Sequence, residues 1–267
     1  MNRVGMMFSR RWWWTTLIVI VGIGVAIRMG IWQLDRDAEK RASIKHIQAM
    51  QAMVALDLNQ DALPSDLIDM EYRKVKVVGE FDFEHQVALR NQVWTQSWGD
   101  EPGYALLTPL ILPDGQAVMV ERGWVPYQYN SPDTWGQLDE PGEVSVEGIL
   151  RLPMEKGQMG GGVPDPTLAP GETQLDFWNF VNLKRIKQQL PYPILDVYIQ
   201  QAPGENPDEL PYRWLTEPDL DPGAHIGFAL MWFFYASLLL FGYPRWLKKQ
   251  QNKALHTNME GGNEAKL

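Results

Sequence analysis

The stretch Trp12–Trp32, WWWTTLIVIVGIGVAIRMGIW, holds one charged side chain, Arg28, in 21 residues. A helix rises ~1.5 Å per residue and needs ~20 residues to cross ~30 Å of hydrocarbon, so this run is long enough to span a membrane. A second such run, Ala224–Leu247, AHIGFALMWFFYASLLLFGYPRWL, stands near the other end of the 267-residue chain. Residues 33–221 between them have the mixed composition of a folded domain. The pattern predicts a membrane hairpin of two transmembrane helices carrying a globular head.

Basic residues set the expected orientation, because Lys and Arg beside a span are retained in the cytoplasm. Arg3, Arg10 and Arg11 precede the first run, and Arg245, Lys248, Lys249 and Lys253 close or follow the second. The expected layout is a cytoplasmic N-terminus over residues 1–11, a transmembrane helix over 12–32, an extracytoplasmic domain over 33–221, a second transmembrane helix over 224–247 and a cytoplasmic tail over 248–267. Arg28-Met29-Gly30-Ile31-Trp32-Gln33 stands where a small-x-small cleavage site would be expected, so the first run reads as an uncleaved anchor. No Arg-rich, Ser-rich transit segment precedes it, which points to a prokaryotic plasma membrane.

The expected extracytoplasmic part carries 15 Lys and Arg against 31 Asp and Glu, a formal −16 compared with −9 for the whole chain. Such a charge argues against nucleic acid or an anionic lipid surface as a partner and suits basic ones. The chain has no cysteine, which removes disulfides, iron–sulfur clusters, thiolate metal sites and covalent C-x-x-C-H haem attachment.

Within the head, Asp35–Met53 is rich in Ala, Lys, Glu, Gln and Met and lacks Gly and Pro, so the first helix is expected to continue beyond the membrane. Leu63-Pro64-Ser65-Asp66 punctuates the chain. Tyr72–Gly79 alternates polar and apolar residues, and Gln86–Arg90 suggests a partner strand for it. Tyr104–Leu112 and Gln116–Val125 flank Pro113-Asp114-Gly115, a hairpin turn in which proline presets φ and glycine accepts positive φ. Glu143–Leu152 and Ile194–Gln201 read as further strands, Asn182–Leu190 as a short helix, and Met159–Pro166 as a loop. About six short strands and few helices predict one antiparallel, β-rich α+β domain. Of the 12 tryptophans, Trp12, Trp13, Trp14, Trp32 and Trp246 sit where aromatic belts meet lipid headgroups.

No Walker loop, G-x-S-x-G elbow or H-E-x-x-H pair is present. The four histidines, His46, His85, His225 and His256, form no ligand-spaced pair. His225 stands at the outer mouth of the second span, where an ionisable group is costly and defaults to a functional reading. Phe228, Ala229, Trp232 and Ala236 follow it at helical steps, giving one nitrogen ligand above an aromatic wall that a flat apolar ring could use. The alternative is an interfacial histidine bonded to water or a carbonyl. Gly22, Ala26 and Gly30 recur every four residues, the small-xxx-small spacing that lets helices approach, and should pack the first span on the second. Arg28 belongs near the same leaflet as His225, either snorkelling to the headgroups or pairing an anionic group.

Three motifs carry a family likeness. Gly30-Ile31-Trp32-Gln33-Leu34-Asp35-Arg36 resembles the G-x-W-Q-x-x-R end of the first span in the Surfeit-locus (Shy) family of cytochrome c oxidase assembly proteins. Glu121-Arg122-Gly123-Trp124-Val125-Pro126 resembles its R-G-W-V-P strand end, and His225-Ile226-Gly227-Phe228-Ala229 with Trp232-Phe233 its H-x-x-Y-A…W-F second-span motif, with Phe228 in place of tyrosine. The motifs occur in the family's order. The resemblance implies a membrane-anchored assembly factor and not an enzyme. It would assist maturation of the large subunit of a haem-copper oxidase alongside haem-synthesis proteins. It also implies transient binding of haem a, with His225 as the metal ligand, Phe228 and Trp232 against the macrocycle and Arg28 beside a propionate. A scaffold of the same pathway that binds no cofactor is the alternative. A membrane-anchored hydrolase would need a nucleophile beside a base, a motif the sequence lacks.

Overall fold

The computed structural model describes residues 7, 9–60, 63, 66–96, 99–155, 163–171, 173–206 and 208–264. The triple glycine at 160–162 and the Pro64-Ser65 break lie outside them. The chain forms two compact units, a helix pair holding the residues up to Lys45 and from Leu220 onward, and a head spanning His46–Asp219.

Helix α1 runs unbroken over Trp13–Ala52, as the propensities of its second half require. Asp37 and Arg41 pair one turn apart at 2.7 Å, and Arg36 pairs with Glu39 at 2.8 Å. The last helix covers His225–Glu264. Within the pair, the side of α1 marked by Thr16, Ala26, Gly30 and Asp37 is buried, and so are Ala229, Ala236 and Leu247 of the last helix. The contacts run antiparallel. A Cβ on Gly30 would meet the Phe233 ring at 2.6 Å, and one on Gly22 would meet Leu239 Cδ1 at 3.4 Å. The Thr16 Oγ1 lies 2.7 Å from the Tyr243 hydroxyl, and Trp12 meets Trp246 edge-on at 5.2 Å. The small-residue face expected on the first run is therefore the packing face.

Only 11% of the most apolar window of each helix is buried, and both helices are long and apolar enough to cross a bilayer. Side chains such as Ile18, Val21, Leu230 and Phe234 point outward. Helices this apolar and this exposed fit a lipid environment and would be an association hazard in water.

Among the described residues the head has eight strands: β1 Leu56–Asp57, β2 Lys74–Phe81, β3 Val87–Gln96, β4 Gly99–Ile111, β5 Ala117–Pro126, β6 Glu143–Arg151, β7 Phe177–Trp178 and β8 Ile194–Gln201. Five of them close into a barrel in the order β2-β6-β8-β5-β4, with β4 returning to β2 through the pairs Glu80–Ile111 and Phe81–Leu110. A ring of five strands cannot alternate direction throughout, so one neighbouring pair must be parallel. Here it is β5 and β8. The expected antiparallel sheet is thus antiparallel everywhere in the ring except at that seam.

The β4–β5 hairpin forms where the Pro-Asp-Gly signal places it, with Leu112 N donating to Gln116 O at 2.8 Å and Gly115 at φ +83°. Alternate residues such as Val75, Val77, Leu110, Val120, Val146 and Ile199 fill one core. The opposite faces of β3, β4, β5 and β8 pack against Trp178 and a short helix α2, Leu183–Ile186, into a second. Asn182 caps α2 by accepting from Arg185 N. The last helix is therefore α3.

One pairing differs from expectation. Strand β3 does not lie on β2; it pairs with β4. Between them Asp82 accepts from Glu84 N and His85 N and winds residues 83–85 into a 3-10 turn, which carries the chain off the β2 edge.

Candidate functional site

His225 is the first residue of α3. Its Nδ1 lies 2.9 Å from Oε1 of Gln33 on α1. Both side chains are half-buried. Gln33 is three residues past Gly30 and four before Asp37, so it continues the buried side of α1. Gly223, at φ +74°, lies next to the imidazole, and a Cβ built there would stand 3.6 Å from both Cδ2 and Nε2. The backbone thus passes close beside the ring edge that carries Nε2.

The other residues expected at this site are distributed unequally. Ala229 and Ala236 are buried between the helices, whereas Phe228 is 49% exposed and Trp232 is half-buried. On a helix these two lie ~60° and ~20° to one side of His225, at 100° per residue. They therefore form an aromatic flank beside the helix seam. Arg28 is two residues from both Ala26 and Gly30, hence ~160–200° from the buried side, and it is exposed. The structure brings His225, Phe228 and Trp232 onto neighbouring faces and does not bring Arg28 to them. Gln33 was part of a motif in the sequence but carried no role. The signal that finds it is its place on the Ala26–Gly30 side of α1.

The Arg-Gly-Trp segment of β5 is structural. Arg122 is fully buried and lies over the rings of Phe81 and Phe83 at 5.1 and 5.0 Å. It donates to Gln86 Oε1 at 3.0 Å, to Glu140 Oε1 at 3.0 Å and to the Leu138 carbonyl. Arg213 donates to the same Glu140 oxygen at 2.6 Å and to the Arg122 carbonyl at 3.0 Å. Burial pushes the Arg122 guanidinium below its ordinary value, against the pull of Glu140. Glu121, one residue earlier, faces the other way and is held by Gln200 Nε2 at 3.2 Å. Burial raises its carboxyl above the usual range, with Gln200 and Arg151 opposing. Gly123 sits at φ +132° with the Tyr212 carbonyl where a Cβ would be. Trp124 is fully buried and stacks on Tyr212 at 5.9 Å and on Trp94 at 6.0 Å.

His85 is the one histidine paired with a carboxylate among the described residues, its Nδ1 2.7 Å from Asp82 Oδ2, which also accepts from Tyr192 at 2.6 Å. Burial pushes the Asp82 carboxyl upward, but the bonds from Tyr192 and His85 outweigh it and hold the group below its usual range. No serine or threonine hydroxyl is hydrogen-bonded to this pair among the described residues. Nor is there a cluster of three metal-binding side chains among them.

Fold and site together define a chain in which two apolar helices, long enough to cross a membrane, flank a five-stranded barrel. The chain belongs to the SURF1 family, whose model matches residues 20–237, from within α1 through the barrel and into α3. It is 28% identical over 230 residues to a SURF1-like protein of Rickettsia felis, a match that covers 84% of this chain and 93% of that one. It is 27% identical over 168 residues to the cytochrome oxidase assembly protein SHY1 of Saccharomyces cerevisiae, covering 59% of this chain and 42% of that one. The match to a SURF1-like protein of Caenorhabditis briggsae, 26% identical, covers 52% of this chain and about half, 50%, of that relative. The likeness to the bacterial relative thus extends over nearly its whole length, and that to the yeast and nematode proteins over about half.

Proposed function

We propose that this chain is a membrane-anchored assembly factor for cytochrome oxidase which holds haem a at His225 for delivery to the oxidase's large subunit. The assembly role rests on the family and on what SHY1 is named for. The haem role rests on one observation. His225 places an imidazole at the start of α3, with Nδ1 engaged by Gln33 and Phe228 and Trp232 on the adjoining face.

The donor set fits the group. His225 would hold the haem iron through an imidazole nitrogen, and the cofactor would supply its own redox and transfer chemistry. The chain's part is to hold that nitrogen in place, offer apolar surface to the macrocycle through Phe228 and Trp232, and leave the head free to meet protein partners. Arg28 serves the headgroup region in this reading, since it faces away from His225. Among the described residues of the head no serine or threonine hydroxyl is hydrogen-bonded to the His85–Asp82 pair, and this reading assigns the protein no catalytic step.

The head lies on the extracytoplasmic side of a prokaryotic plasma membrane in this reading, with both termini in the cytoplasm, as the basic flanks require. The chain has no cysteine, so Gln116→Cys, on the exposed β4–β5 turn, supplies a single reporter. It should react with an impermeant maleimide on intact cells, and labelling only after lysis would reverse the topology. Removing the chain from its host should lower membrane haem a and cytochrome c oxidation together, with recovery on re-expression. Unchanged oxidase content in the strain lacking it would refute the assembly role.

A further inference from the structure

We infer that Gln33 is a positioning residue for His225. It accepts the Nδ1 proton, fixes the ring in one tautomer and rotation, and so presents Nε2 as a ligand atom for haem iron. The inference rests on the haem reading above for its purpose, but its geometry stands without it.

An amide Oε1 accepts hydrogen bonds and cannot donate them. With the amide oxygen turned toward the ring, as it stands, the 2.9 Å contact between His225 Nδ1 and Gln33 Oε1 places the proton on Nδ1. In the uncharged ring Nε2 then carries the lone pair. Free imidazole side chains exchange between tautomers, and ligating histidines are commonly held by a bond to the nitrogen that does not bind the metal. Gln33 occupies that place.

The register that brings the two together is fixed by packing. Phe233 fills the space left by Gly30, three residues before Gln33, and Leu239 lies against Gly22. Tyr243 meets Thr16 further along the same side. These contacts prevent α1 from sliding or rotating past α3. Gln33 is itself part of a continuous helix with no proline or glycine between Gly30 and Ala52. The backbone approach at Gly223 leaves no side chain beside Nε2 from that residue.

The protein contains its own comparison. His46 contacts the Asp69 carbonyl through Nε2 at 2.8 Å; a carbonyl also only accepts, so the uncharged His46 ring carries its proton on Nε2, the opposite tautomer. The experiment is nitrogen NMR of the full-length chain, labelled with 15N-histidine, without haem, in lipid nanodiscs, with His225 assigned by the signals lost in His225→Ala. The expected spectrum shows His225 protonated on Nδ1 and His46 on Nε2. Gln33→Leu, similar in size and unable to accept, should release His225 toward the Nε2-protonated form. Gln33→Glu, which still accepts, should retain the Nδ1-protonated form. An Nε2-protonated His225 in the native chain, or a tautomer indifferent to Gln33→Leu, would overturn the inference.

A second readout follows haem directly. In protein loaded with haem a, Gln33→Leu should speed transfer of haem to an apo-myoglobin acceptor by about 10- to 100-fold, the usual effect of removing such a supporting bond, and Gln33→Glu should restore slow release with a shifted Soret band. Unchanged release in Gln33→Leu would refute the positioning role. If the native chain takes up no haem a, the haem reading fails, while the tautomer measurement still decides what Gln33 does to His225.

Discussion

Gly123→Val tests the joint between the barrel and the segment that follows it. The native residue sits at φ +132°, a conformation that costs a β-branched side chain about 1–3 kcal/mol. A Cβ there would also stand 2.5 Å from the Tyr212 carbonyl oxygen and 2.9 Å from its carbon, so the Tyr212 backbone must retreat. That movement breaks the bridge in which Trp124 N donates to Tyr212 O and Tyr212 N to Trp124 O, both at 2.8 Å. Each such bond contributes about 1 kcal/mol net, which brings the cost to about 3–5 kcal/mol. At ~2–4 °C per kcal/mol for a domain of this size, the melting temperature should fall by roughly 6–20 °C. Tryptophan fluorescence of the full-length protein in detergent reports the transition, because Trp124 is fully buried. Gly115→Val is the control, since Gly115 is at φ +83° with nothing within 4 Å of a Cβ and should bear the strain alone. Native-like melting of Gly123→Val, or equal damage from Gly115→Val, would refute the reasoning.

Three further outcomes follow from the same geometry. Arg122→Ala should cost about 3–5 kcal/mol by thermal melting, and Arg122→Met clearly less. The reason is that methionine fills the buried space against Phe81 and Phe83 that alanine leaves empty, while in both variants Arg213 still pairs Glu140 and Thr108 still donates to Gln86 at 2.5 Å. Glu121→Gln should raise the melting temperature at pH 7–8. A carboxyl raised by burial contributes stability that is fully present below the unfolded value of ~4.3 and is lost as pH rises through its higher folded value, and the amide abolishes that loss. Melting profiles from pH 4 to 8 that coincide for the two proteins would contradict this. Gly30→Leu should sharply lower the amount of protein accumulating in membranes, by quantitative immunoblot, because it collides with Phe233. Gly24→Leu, with nothing within 4 Å, should not.

Much of this architecture is legible in the chain because its signals are local. Two long apolar runs, a Pro-Asp-Gly turn and the short helical stretch after Asn182 each act within a few residues, and each forms where it is read. Barrel closure is not local. It depends on two residue pairs between β2 and β4 and on one parallel seam, and no sequence period encodes either. Strands β4 and β5 also hide their faces, since Tyr104–Leu110 and Ala117–Val125 are buried throughout. Strands covered on both sides lose the alternation that reveals orientation.

At the site, His225 was visible because an ionisable group at the mouth of a span is conspicuous. Gln33 was not, because its role depends on which residue of the other helix faces it. Arg28 shows the converse, since depth along the helix suggested company for His225 and helical phase turns it away.

The account turns on whether His225 holds haem, and one measurement addresses that most directly. The full-length chain and its His225→Ala variant are co-expressed with haem a synthesis, purified in equal amounts and compared by absorbance. The account predicts a Soret band in the native protein and its loss in the variant, with matching tryptophan melts because the Ala26–Gly30 side of α1 is untouched. A native protein without the band, or a variant that keeps it unchanged, would contradict the assignment.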